Sequence, residues 1–122
     1  MSHVVTIRAE VRDPTAVAAA CRRLKLPGPA HGTAQLYSGQ ATGLLVQLPD
    51  WLYPIVIDPS TGTVRYDNYG GVWGDEQHLH RFVQAYVVER SRIEARKKSY
   101  ATTEQSLADG SIMVEIEVGG QA

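Results

Sequence analysis

One cysteine, Cys21, stands in a chain of 122 residues. A single thiol excludes an internal disulfide and a cysteine-based zinc or iron–sulfur cage, and it fits a reducing compartment. Long apolar runs are also missing, and no stretch approaches the roughly 18 residues needed to span a bilayer. Met1-Ser2-His3-Val4 has neither the basic nor the apolar region of a signal peptide. These absences lead to the expectation of a cytoplasmic protein with no membrane partner. Net charge is close to absent: 12 Lys and Arg against 13 Asp and Glu leave a formal −1. No global field therefore steers the chain towards nucleic acid or an acidic membrane. Catalytic signatures are lacking as well. There is no Gly-x-Ser-x-Gly elbow, and Gly70-Gly71-Val72-Trp73-Gly74 lacks the lysine and spacing of a P-loop and does not match a dinucleotide fingerprint. No catalytic residue, metal ligand or cofactor is expected.

Hydrophobic residues at 43% and charged residues at 20% are globular values, and the length suits one α+β domain over residues 1–122. Val5, Ile7, Ala9 and Val11 alternate with Thr6, Arg8, Glu10 and Arg12, the period of a half-buried strand. Asp13-Pro14 predicts a helix start, with Val17, Cys21 and Leu24 on its inner face and Pro27-Gly28-Pro29 ending it. Cys21 reads as a core residue. From Thr33 to Asp67 the signal is β. Ala34 to Ser38 and Gly43 to Leu48 are joined around Gly39, and Tyr53 to Ile57 and Thr63 to Asp67 flank a turn at Asp58-Pro59-Ser60-Thr61-Gly62. The adjacent pairs Leu45-Val46 and Val56-Ile57 mark either strands covered on both faces or a bulge. Ile112, Val114, Ile116 and Val118 alternate in a last strand. The order β-α-β-β-β-β-α-β predicts a two-layer α+β sandwich, a mainly antiparallel sheet with both helices as crossovers, as a ferredoxin-like variant.

The dominant element is a helix predicted from Asp75 to Tyr100. Leu79, Phe82, Val83, Tyr86, Ile93 and Tyr100 share one stripe at helical spacing. Twenty-six residues make a helix of about 39 Å, against a diameter of about 35 Å for a compact chain of this size. Arg90 and Lys97 interrupt the apolar stripe. A buried unpaired charge costs several kcal/mol, so these two side chains either snorkel along the rim or belong to turns that overhang a core ending near Val87. An overhanging face of Arg90, Ile93, Lys97 and Tyr100 has an interface composition, with anchors inside a charged margin.

Other candidate chemistry has a structural explanation nearby. His78 and His80 are two apart on a helix, so they diverge by about 200° and do not chelate one ion together. Asp58, Asp67, Asp75 and Asp109 all sit at turns or helix starts. The densest unusual stretch is Tyr66, Tyr69 and Trp73, three of the nine aromatics (six Tyr, two Trp, one Phe). They are read either as a strand-to-helix turn with Trp73 closing the core edge or as a surface platform for a partner, with Trp73 and Tyr69 as anchors.

Met1-Ser2-His3, Thr6-Ile7, the Asp13-led helix, Phe82 and Tyr86, the basic stretch ending at Tyr100, Glu104-Gln105 and Ala108-Asp109-Gly110-Ser111-Ile112 occur here in the order of a known family. On these segments, about half of the chain, the sequence resembles a family of unknown function that includes a hypothetical reading frame of plastids and cyanobacteria. Residues Tyr37 to Asp67 depart from its pattern. The resemblance implies a small cytoplasmic protein, a subunit or adaptor associated with an AAA-type ATPase system, and it transfers no activity, cofactor or catalytic residue.

The first expectation is a non-enzymatic interaction module that binds another protein or a second copy of itself, through Arg90, Ile93, Lys97, Tyr100, Trp73 and Tyr69. A less favoured alternative is a nucleic-acid-associated protein using Arg90, Arg92, Arg96, Lys97 and Lys98, which Glu89 and Glu94 dilute. The third is a small-molecule binder or enzyme with a pocket between the sheet and the long helix.

Overall fold

The computed structural model describes residues 4–98 and 101–117. Along the chain run β1 (Val5–Arg8), α1 (Pro14–Arg23), β2 (Ala30–Leu36), β3 (Gly39–Val46), β4 (Ile55–Asp58), β5 (Thr63–Tyr66), a single 3-10 turn (Tyr69–Gly71), α2 (Glu76–Lys97), β6 (Ala101–Ser106) and β7 (Ile112–Glu117). Short connections between β2, β3, β4 and β5 favour hairpins, and the first five strands form one antiparallel sheet in the order β1-β5-β4-β3-β2. α1 therefore carries the chain from one edge of the sheet to the other.

Both helices are started by aspartates. The Asp13 carboxylate accepts hydrogen bonds from Thr15 N at 3.0 Å and Ala16 N at 3.4 Å, with Pro14 next to it, satisfying N–H groups that have no partner within the helix. Asp75 accepts from Gln77 N at 2.9 Å. α1 and α2 pack side by side on the sheet. Ala16, Val17, Ala20 and Cys21 meet Leu79, Phe82 and Tyr86 above Val46, Ile57 and Val64. Buried in this way, the Cys21 thiol has its pKa pushed up by desolvation, which suits an inert packing residue. Leu45 and Val56 turn to the opposite face and join Ala34, Leu36, Ala41, Val4 and Tyr53 in a second, smaller cluster. The adjacent apolar pairs in β3 and β4 are thus strands covered on both faces.

The two-layer α+β class agrees with the sequence pattern; the differences lie after α2. The helix ends at Lys97 with Lys98 as its cap, and Ser99 and Tyr100 lie outside the described residues. Thr102 to Ser106, which carry no apolar alternation, are strand. They form β6 by pairing with β7 from Ala101↔Glu117 to Ser106↔Ile112, so the last strand closes a separate hairpin rather than returning to the main sheet. That hairpin packs on α2. Val88 and Ala95 are each only 2% exposed, and Ile93 packs against the main core. The last turns of α2 therefore do not overhang. Backfilling by β6 and β7 resolves the conflict between helix length and domain size.

A two-stranded hairpin is marginal on its own, and an ion-pair network helps to hold this one. Arg23 of α1 grips Glu104 of β6 with two nitrogens at 3.0 and 2.7 Å and Glu89 of α2 at 2.9 and 2.6 Å. Arg92 adds a bond of 2.9 Å to Glu104. Forked guanidinium–carboxylate contacts of this kind are stronger than isolated surface pairs. Hydrogen bonding by Arg23, then the charges of Arg23 and Arg92, hold the Glu104 carboxyl below its ordinary 4.5. A depressed carboxylate pKa contributes stability that is present above the unfolded value and lost as pH falls through the folded one. The protection factors of the β6 and β7 amides should therefore fall below pH 4.5, ahead of those of the main sheet, and Glu104→Gln should show that loss already at neutral pH. Retained protection in Glu104→Gln would show that apolar contact alone holds the hairpin.

The second prediction concerns the junction between the helices. Tyr86 Oη accepts hydrogen bonds from both Arg12 N and Asp13 N at 3.0 Å, from a side chain only 2% exposed. Tyr86→Phe leaves both N–H groups without this acceptor and should cost about 1–3 kcal/mol, read from urea unfolding.

Candidate functional site

Nine residues connect β5 to α2, and the stretch from Asn68 to Gly74 is tied into a compact loop by Asn68. Asn68 Nδ2 donates to Gly74 O at 3.0 Å, and Asn68 O accepts from Gly71 N at 3.0 Å and Trp73 N at 2.9 Å. Gly70 and Gly71 take φ values of 60° and 99°, a region open to glycine and strained for other residues. Tyr69 shares that region at φ 48°, an uncommon conformation for an aromatic residue. Such strain is held where the surroundings over-determine it, and it favours functional loops. At the loop's end, a β-carbon built on Gly74 would overlap the indole of Trp51. The missing side chain lets Trp51 lie against the backbone and donate Nε1–H to Asp75 O at 3.0 Å. Trp51 also meets Tyr66 edge-on at 5.7 Å, so it is the buried wedge under the start of α2.

With the loop held in this way, Trp73 is the centre of an aromatic cluster. Tyr69 stacks on it at 4.8 Å, Tyr37 lies tilted at 5.3 Å, and Tyr53 meets it edge-on at 5.7 Å. Leu52 joins through its N–H, which donates to Trp73 O at 2.9 Å. Trp73 and Tyr53 are half-buried, and the residues around them are exposed. Tyr37 is 65% exposed, Tyr69 40%, Leu52 59% and Val72 71%. Scattered exposed apolar residues are ordinary, but a contiguous group is a mark of an interaction surface.

The stretch of sequence that supplies it is acidic. Residues 26–80 hold five of the 13 acidic residues, Asp50, Asp58, Asp67, Asp75 and Glu76, but only one of the 12 Lys and Arg, Arg65. Asp67 is the unusual member. It is 1% exposed; its Oδ1 accepts from Tyr69 N at 3.4 Å, and its Oδ2 is buried with no hydrogen-bond partner among the described residues. A buried carboxylate oxygen without a partner is costly, and it lies at the root of the loop that carries Tyr69 and Trp73.

The residues expected to meet a partner fall in two places. Trp73 and Tyr69 are in direct contact. Arg90, Ile93 and Lys97 lie on the C-terminal half of α2. Arg90 is exposed, and with Lys98, Glu10, Glu94 and Ile116 it lines an open cleft of about 550 Å³. Ile93 is turned to the core. Lys97 is exposed and makes a loose 3.8 Å pair with Glu94. Tyr100 lies outside the described residues. His78 borders a cleft with Leu24 and Leu48, and His80 borders another with Asp109 and Ser111, so the two histidines diverge as their spacing requires. Among the described residues no three His, Cys, Asp or Glu side chains are grouped to hold a metal ion. No described helix is long and apolar enough to cross a membrane. The basic stretch of α2 is partly used internally, because Arg92 is committed to Glu104.

Tyr37, Leu52 and Tyr53 escape the sequence reading. Tyr37 is 36 positions from Trp73 along the chain, and only the curl of the β2–β3 hairpin brings them together. The available hint is a large aromatic at a hairpin turn, where small polar residues are usual.

The wedge can be tested directly. Gly74→Ala drives a methyl group into the Trp51 indole and should cost about 1–3 kcal/mol through overpacking. It should also move the Trp51 indole N–H resonance as the bond to Asp75 lengthens; an unmoved resonance with unchanged stability would contradict the close approach.

No protein-family model, no curated protein and no solved structure matches this chain, so its functional reading rests on the aromatic cluster and its surroundings.

Proposed function

We propose that this protein is a non-enzymatic interaction module of the cytoplasm, and that it binds another polypeptide through the surface centred on Trp73. The observation that carries this reading is the partly exposed cluster of Tyr37, Tyr53, Tyr69 and Trp73, extended by Leu52 and Val72. Tyr and Trp give large contact area at low entropic cost and dominate interface energetics. A loop tied by Asn68 and a ring cluster already assembled leave little to order on binding, which favours affinity. The C-terminal half of α2, with exposed Arg90 and Lys97, is a second contact region some distance along the same helix.

The nucleic-acid reading has less support. Arg92 is bonded to Glu104 and Lys97 lies beside Glu94, which lowers the charge available to phosphates.

The test is capture from the native host with wild-type protein and a Tyr37→Ser/Tyr69→Ser variant as paired baits, under mild salt and with nuclease. Exposed side chains away from the core usually change stability by no more than about 0.5 kcal/mol, so the variant should melt close to wild type. It should lose the proteins that wild type retains. An identical set of captured proteins from both baits would sink the proposal, and capture that disappears with nuclease would favour the nucleic-acid alternative.

A further inference from the structure

Opposite charges occupy opposite ends of α2. At the start, the chain on either side of Trp73 and its ring neighbours carries Asp50, Asp67, Asp75 and Glu76, of which Asp67 is buried. At the finish, Arg96, Lys97 and Lys98 follow one another and are all exposed. The helix has 22 residues and is about 33 Å long, several times the reach of a lysine or arginine side chain. The two ends of one molecule therefore do not satisfy each other. Two molecules can do so.

We infer that the aromatic cluster at the start of α2 receives the basic end of α2, Arg96, Lys97 and Lys98, from a second copy of this chain. The inference rests on the reading of the cluster as a protein-binding surface and names its partner. The chemistry on the two sides is complementary. The faces of Trp and Tyr rings carry negative potential and attract guanidinium and ammonium groups within about 6 Å of the ring centre. Exposed Tyr37 and Tyr69 offer such faces beside Trp73. The unpartnered Oδ2 of Asp67, a hydrogen-bond acceptor left open, lies at the root of this loop. On the donor side, Arg96 and Lys98 have no ion pair among the described residues, and the single pair of Lys97 is the loose contact with Glu94. Long basic side chains on an exposed helix end also bring apolar stems that lie along aromatic surface. A two-fold pair of molecules makes the contact twice and closes on itself, while a head-to-tail arrangement makes it once per junction.

The experiment is sedimentation equilibrium of the full chain, wild type and variants, at low and high salt. Wild type should associate, and raising the salt from about 50 to 500 mM should weaken association at least about tenfold, because the contact is between exposed charges and ring faces. Tyr37→Ser/Tyr69→Ser and Arg96→Gln/Lys97→Gln/Lys98→Gln should each remain monomeric, with circular dichroism unchanged. Mixed in equal amounts, the two variants should associate again, one supplying the basic end and the other the rings. Wild type that stays monomeric at about millimolar concentration in low salt overturns the inference. So do variants that associate as well as wild type, or a mixture that does not associate. If wild type is monomeric while the ring variant still loses its captured partners, this inference fails and the protein-binding reading stands.

Discussion

The contact between the Trp51 indole and the bare backbone at Gly74 is the constraint on which the functional surface depends. A side chain at that position would overlap the indole. With hydrogen there, Trp51 packs in the core, meets Tyr66 edge-on and donates to Asp75 O at 3.0 Å. That bond fixes where α2 begins, since the Asp75 side chain caps the helix at Gln77 N. Asn68 fixes the other end of the loop through Gly74 O. Between these two anchors the chain has room only for a tight path with three successive positive φ values, from Tyr69 to Gly71. Tyr69, Val72 and Trp73 are pushed outwards as a result. The buried Trp51 and the half-buried Trp73 are thus two sides of one arrangement: the first holds the helix start, and the second uses it as a platform.

How much of this was legible in the sequence depends on the range of the interactions. Local rules placed α1 from Asp13-Pro14, the turn at Asp58 to Gly62, and the start of α2 at Asp75, because capping and turn chemistry act within a few residues. The glycine-rich stretch from Gly70 to Gly74 was readable as a strand-to-helix turn for the same reason. The strand after α2 was not, because Thr102-Thr103-Glu104-Gln105 has neither apolar alternation nor strong turn signals; its pairing with β7 and the Arg23 network supply what propensity lacks. Missing β6 also produced the expectation of an overhanging helix, since nothing else was available to cover Val88 and Ala95. Trp73 and Tyr69 were legible as candidates because they are close together in sequence. Their neighbours Tyr37 and Tyr53 were not, because hairpin curl and sheet register decide that proximity.

Stability and function pull against each other at Asp67. Burying a carboxylate oxygen without a partner weakens the fold, and Tyr69 at positive φ adds backbone strain. Both costs fall on the loop that displays the rings. Elsewhere Glu10, Lys25 and Asp50 also take positive φ values, but the polar groups that join the elements are matched. The two helices are capped by aspartates, the Tyr86 hydroxyl satisfies two N–H groups at their junction, and Glu104 is matched by two arginines. The unpartnered carboxylate oxygen and the strained Tyr69 lie together beside the aromatic surface, the pattern expected where a site rather than the fold has set the residue choice.

The central claim is that Trp73 stands on an exposed surface of negative potential. Collisional quenching of tryptophan fluorescence by ions of opposite charge tests it most directly, because the chain has only two tryptophans and Trp51 is 5% exposed. Relative to their quenching of free N-acetyltryptophanamide, caesium should quench the accessible fraction more steeply than iodide, the difference should shrink as inert salt is added, and Trp73→Phe should abolish the accessible fraction. A normalised quenching stronger for iodide, or a quenchable fraction that survives the loss of Trp73, would contradict the account.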